Sequence, residues 1–212
     1  MWRRRLSGAR WRQPRPAPEV DENDDVMALP PDYPSELERE LTLKDGSVVR
    51  IRPIQPDDGP RLQELHNRLS RQTAYQRFFS IVKRLPSDWA RMLANVDYHR
   101  RLALVAEARA GTELELVGVG RYEPTDEKGT VEVAFVVQDG WQNRGLGTIL
   151  FNDILRAAAE RSVRRFCAYV LADNQRMLDL ITRFTRVESR KTDQGVTEIV
   201  FTLRLERGTA KK

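Results

Sequence analysis

The chain has 212 residues, a net charge of +5, 40 % hydrophobic and 32 % charged side chains, and one cysteine. One thiol cannot form an internal disulfide. A single Cys with two distant histidines, His66 and His99, is too few ligands for a structural zinc site, so no metal is expected. There is no run of about 18 apolar residues, which excludes a membrane-spanning helix.

The charge is unevenly distributed. Residues 1–40 hold seven arginines and nine acids, and the remainder carries 29 basic against 22 acidic side chains. Within the first stretch, Arg3, Arg4, Arg5, Arg10, Arg12 and Arg15 form a basic arm, and Glu19, Asp21, Glu22, Asp24 and Asp25 an acidic run. Six prolines between Pro14 and Pro34 break any helix. Such a segment buries too little surface to offset its ordering entropy, so residues 1–40 are predicted to be a disordered tail. It lacks the apolar centre of a secretory signal, and its acids argue against a mitochondrial presequence, so a cytoplasmic location is expected. The mildly basic remainder suits an anionic ligand: nucleic acid, a phosphate-bearing cofactor or an acidic partner. Only the arginine arm with Trp2 and Trp11 points to nucleic acid or a membrane surface, and neither is the expected partner.

From Leu41 the pattern becomes that of a folded domain. Residues 41–44 and 48–51 flank Asp45-Gly46 and read as a hairpin. Pro56-Asp57-Asp58 opens a helix carrying Leu62, Leu65 and Leu69 at helical spacing. A second helix runs from Thr73 towards Phe79, and Ser87-Asp88 is placed to cap a third. Residues 102–106, 114–122 and 132–137 then alternate as a meander of antiparallel strands. Leu146, Ile149, Leu150, Ile154, Ala157 and Ala158 share one face of a longer helix. A strand over residues 166–171, a helix through Leu178 and Ile181, and strands over 186–191 and 196–205 complete an α+β domain on a mixed sheet.

The segment Gln142-Asn143-Arg144-Gly145-Leu146-Gly147 lies between a strand and an amphipathic helix. A helix start presents unpaired amides and the positive end of its dipole. Gly145 and Gly147 let a bulky anion approach the backbone, and Arg144 adds a charged donor. A pyrophosphate is the natural ligand. The segment lacks the Gly-Lys-Ser/Thr ending of a phosphate-binding loop of nucleotidases and the third glycine of a dinucleotide fingerprint.

Gln-x-x-Gly-x-Gly after a Glu-bearing strand resembles the acetyl-CoA motif of the GNAT N-acetyltransferases. Leu171 to Leu178 is similar to that family's later strand-to-helix segment. Leu69 to Phe79 and Val96-Asp97-Tyr98-x-Arg100 resemble the bacterial Pat-like protein lysine acetyltransferase branch. The resemblance implies a GNAT domain over residues 41–207, followed by a short tail at 208–212. It implies a central mixed, mostly antiparallel sheet with helices on both faces, and two central strands that splay where the donor enters.

By the same resemblance, the amides of Phe135 and Val137 pair with the pantetheine arm of acetyl-CoA. The amides of Arg144, Gly145, Leu146, Gly147 and Thr148 hold the pyrophosphate within the loop that Gln142 and Asn143 open, and Asn174 lies beside the donor. Acyl transfer is direct, from thioester to amine. A lysine ammonium, with a pKa near about 10.4, must first lose a proton, and Glu132 on the donor-pairing strand is the candidate base. The expected acceptor is a protein lysine. The alternatives are a small-molecule amine or a non-catalytic acyl-CoA-binding regulator. Two departures stand out: Ile181 occupies the position of the family's tyrosine acid, and Arg183-Phe184-Thr185-Arg186 replaces the usual Leu-Gly-Phe. Cys167 reads as a small buried hydrophobe.

Overall fold

The computed structural model describes residues 29–204. The N-terminal arm and acidic run, and the tail from residue 205 onward, lie outside the described residues. The described residues include part of the segment that the sequence assigns to the tail. Tyr33 packs edge-on against Tyr98, with ring centroids 5.7 Å apart, and its hydroxyl donates to Glu38 at 2.7 Å. The first strand, β1, already starts at Arg39.

Eight strands form one sheet. They are β1 (Arg39–Thr42), β2 (Val48–Pro53), β3 (Leu102–Ala110), β4 (Glu113–Pro124), β5 (Thr130–Val137), β6 (Arg165–Leu171), β7 (Thr185–Asp193) and β8 (Val196–Leu203). Their spatial order is β1-β2-β3-β4-β5-β6-β8-β7. Every neighbouring pair is antiparallel except β5 and β6. The mixed, mostly antiparallel sheet is thus as expected, and the hairpin on Asp45-Gly46 and the β3-β4-β5 meander are present.

The helices are α1 (Gly59–Arg68), α2 (Arg71–Phe78), α3 (Ser87–Ala94), α4 (Leu146–Glu160) and α5 (Gln175–Phe184). They cover both faces, because alternate residues of each strand point opposite ways. Ala103 and Val105 of β3 pack with α1, α2 and α3, whereas Leu102, Leu104 and Ala106 pack with α4 and α5. The apolar stripe of α4 is deeply buried, as its periodicity predicts. The N-cap of α3 differs from expectation. Pro86 holds that position, no side chain caps the helix, and Ser87 is its first residue. Asp88 still sits in the first turn, where its charge suits the helix dipole. Among the described residues, no helix is long and apolar enough to cross a membrane.

A charged cluster is buried beneath α1. The Arg52 guanidinium donates to both oxygens of Asp58 at 2.7 Å and to Glu107 at 2.8 Å, and Arg61 also reaches Glu107, at 2.7 Å. Arg52, Asp58 and Glu107 are each less than 5 % exposed. Burial alone would raise the Asp58 pKa. The hydrogen bonds and charge of Arg52, the Gln55 amide and Arg61 outweigh burial and hold it below the usual carboxylate range. The cluster fixes the start of α1 to β2 and β3.

Replacing Arg52 with Leu leaves two buried carboxylates with the single, partly exposed Arg61 between them. Urea unfolding of Arg52→Leu at neutral pH should show a loss of about 3–5 kcal/mol relative to the parent. A carboxyl depressed in the folded state contributes stability above its unfolded pKa of about 3.9 and loses it as pH falls through the folded value. The deficit of the variant should therefore narrow below about pH 4. A deficit independent of pH would assign the loss to packing.

Candidate active site

The site begins where the sheet comes apart. β5 and β6 pair at only three positions, Thr130 with Arg165, Val131 with Phe166 and Glu132 with Cys167. Beyond Glu132, β5 stays paired with β4 as far as Val137, and β6 stays paired with β8 as far as Leu171. A gap therefore opens between them. The Gln138 amide donates to Val117 O of β4 at 2.9 Å. Amides alternate sides along a strand, so those of Phe135 and Val137 face the gap. These are the two amides that the family resemblance assigns to the pantetheine arm.

Glycines on the neighbouring strand let the wall close up. A Cβ on Gly120 would lie 2.9 Å from the Phe135 ring, and one on Gly118 would lie 3.0 Å from Leu150. Phe135 in turn packs on Phe151 of α4, with centroids 5.3 Å apart.

The gap leads to the start of α4. Gly145 takes φ +95°, a left-handed conformation that favours glycine, and Asn143 just before it takes φ 65°. No side chain caps α4. The amides of Leu146, Gly147 and Thr148 have no intrahelical acceptors, because the first intrahelical bond is Ile149 N to Gly145 O at 3.1 Å. A Cβ on Gly147 would meet nothing nearer than Val137 Cγ2 at 3.9 Å, so the space before the helix is open.

Beside this terminus lies a cavity of about 450 Å³ between the β1–β2 turn and the faces of α4 and α5. Lys44, Arg144, Arg176 and Arg183 line it, against one acid, Asp179. Uncapped amides, open space and four cations fit a bound pyrophosphate and its nucleotide.

Two loop side chains take roles that the sequence did not reveal. The Gln142 Nε2 donates to Val137 O at 3.0 Å and to Thr73 Oγ1 at 3.3 Å, and its Oε1 accepts from Arg176 at 3.4 Å. Gln142 thus clamps the turn from β5 to α4. The Arg144 guanidinium stacks on Trp141, 4.8 Å from the ring centroid, and pairs with Asp45 at 2.9 Å and Ser47 at 3.1 Å. Its charge borders the cavity while its donors hold the β1–β2 turn. Asn174 accepts from the Met177 amide at 3.2 Å and so caps α5.

Asp139 was not singled out from sequence, yet it organises this region. It accepts from the Ser70 amide at 2.8 Å and from the hydroxyls of Ser70 and Thr73, both at 2.7 Å. Burial opposes its charge, but these donors prevail and its pKa is lowered. The network fastens the N-terminus of α2 to the end of β5. Asp-Gly directly after an apolar strand was the only signal, and it reads equally well as an ordinary turn.

Glu132 sits at the last paired position, half-buried. Register partners share a face, so Glu123 of β4 and Cys167 of β6 flank Glu132, and Tyr169 follows Cys167 on that side. The Cys167 thiol is pushed up to about 12, first by burial and then by the charge of Glu132. It stays protonated and is no nucleophile, in keeping with the sequence reading. The Tyr169 hydroxyl donates to Glu198 at 2.8 Å, and burial followed by that bond raises its pKa. Arg77 of α2 lies within electrostatic reach of Glu132, Glu123 and Arg121. Burial and then Arg121 lower its pKa to about 10, against the two glutamates, so it remains charged at neutral pH. Arg121 pairs with Glu123. Ile181 is 1 % exposed in the core, so that position offers no proton.

Residues 63–185 match the Acetyltransferase (GNAT) family. The chain belongs to that family. It is 31 % identical over 164 residues to the acetyltransferase PA5475 of Pseudomonas aeruginosa, covering 77 % of this chain and 88 % of the relative. Identity to the acetyltransferase Pat of Mycolicibacterium smegmatis is 31 % over 158 residues. That match covers 74 % of this chain but only 46 % of the longer relative. Among solved structures, the GNAT domain of S. lividans PAT superposes with a TM-score of 0.71 at 32 % identity, covering 81 % of this chain and 99 % of that domain. An acetyltransferase of Salmonella typhimurium, solved with its cofactor acetyl-CoA, shares the fold with a TM-score of 0.57 at 18 % identity, covering 77 % of this chain and 98 % of that one. The chain is a GNAT acetyltransferase with an α+β GNAT fold, and the family's acyl donor is acetyl-CoA.

Gly147→Asp places a carboxylate in open space at the uncapped helix start. Calorimetry should show loss of acetyl-CoA binding with a melting temperature close to the parent's, because repulsion acts only on the phosphates. Gly145→Asp should also lose binding but melt lower, because φ +95° strains any side chain there. Unchanged affinity in both variants would remove the loop from the donor site.

Proposed function

We propose that the protein transfers the acetyl group of acetyl-CoA directly to the side-chain amine of a protein lysine, with Glu132 as general base. The observation that carries this reading is the position of Glu132 at the point where β5 and β6 part. It stands at the inner end of a gap whose outer end is the uncapped start of α4. A thioester threaded along Phe135 and Val137 would bring its carbonyl towards this carboxylate.

Bound acetyl-CoA supplies an activated acyl carbon. In this reading the amides of Phe135 and Val137 take the pantetheine, and the amides of Arg144 to Thr148 take the pyrophosphate. Gln142 and Asn143 shape that loop, and Asn174 holds the start of α5 beside it. Glu132 accepts the ammonium proton, the neutral amine forms the new C–N bond, and the C–S bond breaks. The released thiolate takes its proton from water or from the attacking nitrogen, which sheds it as the amide forms, since Ile181 supplies none. Arg121 pairs with Glu123, and Arg77 lies within electrostatic reach of Glu132 and Glu123, so the two acids at the gap face two cations. The protein-acceptor reading rests on the likeness to Pat, and the reaction requires a compartment that supplies acetyl-CoA, which accords with the cytoplasm.

Glu132→Gln keeps size and hydrogen bonding but cannot accept a proton. Turnover of a lysine peptide, followed by thiol release, should fall about 10²–10⁴-fold at about pH 7 with acetyl-CoA affinity retained. The loss should shrink at about pH 9.5, where more amine arrives neutral. A parental rate at neutral pH would remove Glu132 from the chemistry. An equal loss at both pH values, or loss of donor affinity, would make its role structural.

A further inference from the structure

The stretch from α2 to the start of α3 carries an unusual surface. Residues 68–87 contain five basic side chains and no acid. Two of the five turn inward. Arg68 donates to Leu116 O at 2.9 Å and pairs with Glu115 at 3.3 Å, and Arg77 stacks over Phe78 within electrostatic reach of Glu132 and Glu123. The other three, Arg71, Lys83 and Arg84, are exposed and make no ion pair with any described residue. Between them stand two large apolar side chains, Ile81 at 87 % exposure and Tyr75 at 44 %.

The segment that presents Ile81 is anchored on both sides. α2 ends at Phe79 in a left-handed conformation, with its amide bonded to Tyr75 O at 2.8 Å. On the far side Leu85 is buried, and its carbonyl accepts from Gln63 at 2.8 Å. An isoleucine held out in water between fixed points, in a stretch whose exposed charges are all cationic, is the pattern of a docking surface. Its location gives it a role: α2 lies on β5, tied to it through Asp139, and the same helix sends Arg77 towards Glu132.

We infer that this face receives the acceptor: an acidic protein surface packs on Ile81 and Tyr75, pairs with Arg71, Lys83 and Arg84, and so delivers its lysine to Glu132. The inference rests on the protein-acceptor reading and adds a substrate class, lysines with acidic neighbours. A protein fits better than a nucleic acid because the centre of the patch is apolar and only three outward cations surround it. Phosphate backbones are held by larger cationic footprints without such a centre.

The test uses the full chain, acetyl-CoA and three acceptors: a lysine peptide flanked by Asp and Glu, the same peptide flanked by Ser and Gln, and a simple alkylamine. The parent should acetylate the acidic peptide with a kcat/KM about tenfold above the neutral one, and added salt should erode the difference. The double variant Lys83→Glu, Arg84→Glu should lose or invert the preference while its rate on the alkylamine stays parental. Ile81→Ser should weaken both peptides equally and leave the alkylamine rate unchanged. Equal use of both peptides by the parent, or a preference that survives the double variant, overturns the docking surface and leaves the protein-acceptor reading intact. Turnover of the alkylamine with neither peptide used overturns that reading and the surface together. Inhibition of peptide turnover by a DNA duplex that depends on Lys83 and Arg84 makes the patch a nucleic-acid site. A full chain with Glu19, Asp21, Glu22, Asp24 and Asp25 made neutral, turning over both peptides faster, makes its own acidic run the occupant. Either outcome overturns the proposal.

Discussion

A backbone donor or acceptor buried without a partner costs about as much as a lost hydrogen bond, and that constraint shapes this molecule at one place above all. The eight-stranded sheet is laddered throughout except where β5 and β6 separate after Glu132. Each strand keeps its other neighbour, so the separation exposes one edge of each without unravelling the sheet. The fold meets part of the demand itself. Val137 O, at the far end of the open edge, accepts from the Gln142 side chain rather than from a strand. What remains is a lined gap with donors of fixed direction, which a ligand carrying amide groups can satisfy. The opening in the sheet is thus what makes the proposed place of the pantetheine arm.

The two halves of the reaction are mechanically joined. The turn from β5 into α4 carries the anion-binding amides, and Asp139 and Gln142 in that turn also hold Ser70 and Thr73 of α2. The helix α2 is thereby set by the same residues that shape the turn into α4. Likewise, Arg144 borders the donor cavity and fixes the β1–β2 turn through Asp45 and Ser47. Positions that look like ligand contacts in a linear motif thus also serve as braces.

Much of the architecture was legible in the sequence because its signals are local. The Asp45-Gly46 turn, the alternating strands and the stripe of α4 follow from periodicity. Gly145 was legible because its φ of +95° excludes most other residues. The parts that escaped depend on partners distant in sequence. Asp58 reads only as part of a helix start and nothing marks Arg52 or Glu107, because their burial depends on mutual pairing across β2, α1 and β3. Asp139 reads as a turn residue until α2 supplies its donors. Tyr33 and Glu38 fell within the expected tail because proline and charge dominate their neighbourhood, yet Tyr98 gives Tyr33 a surface to pack on. The Val96-Asp97-Tyr98-x-Arg100 motif, noticed for its likeness to one branch of the family, is explained here by structure. Asp97 accepts from three successive amides, and the Tyr98 hydroxyl donates to Ile54 O.

The distribution of charge about Glu132 reconciles two opposed requirements. In the proposed reaction the lysine arrives as a cation, so carboxylates should face it; two carboxylates placed side by side repel each other unless cations stand against them. Glu123 and Glu132 stand opposite each other across β4 and β5, which creates that difficulty, and Arg121 and Arg77 stand beside them. Arg121 pairs with Glu123, and Arg77 lies within electrostatic reach of both glutamates, so two cations stand against the two acids. Farther out the sign reverses, with Arg71, Lys83 and Arg84 turned to solvent. An ammonium alone is repelled by this rim and drawn only by the inner acids. A protein whose lysine is surrounded by acids is attracted at both radii, so the arrangement favours an amine delivered on a surface over one that diffuses in by itself.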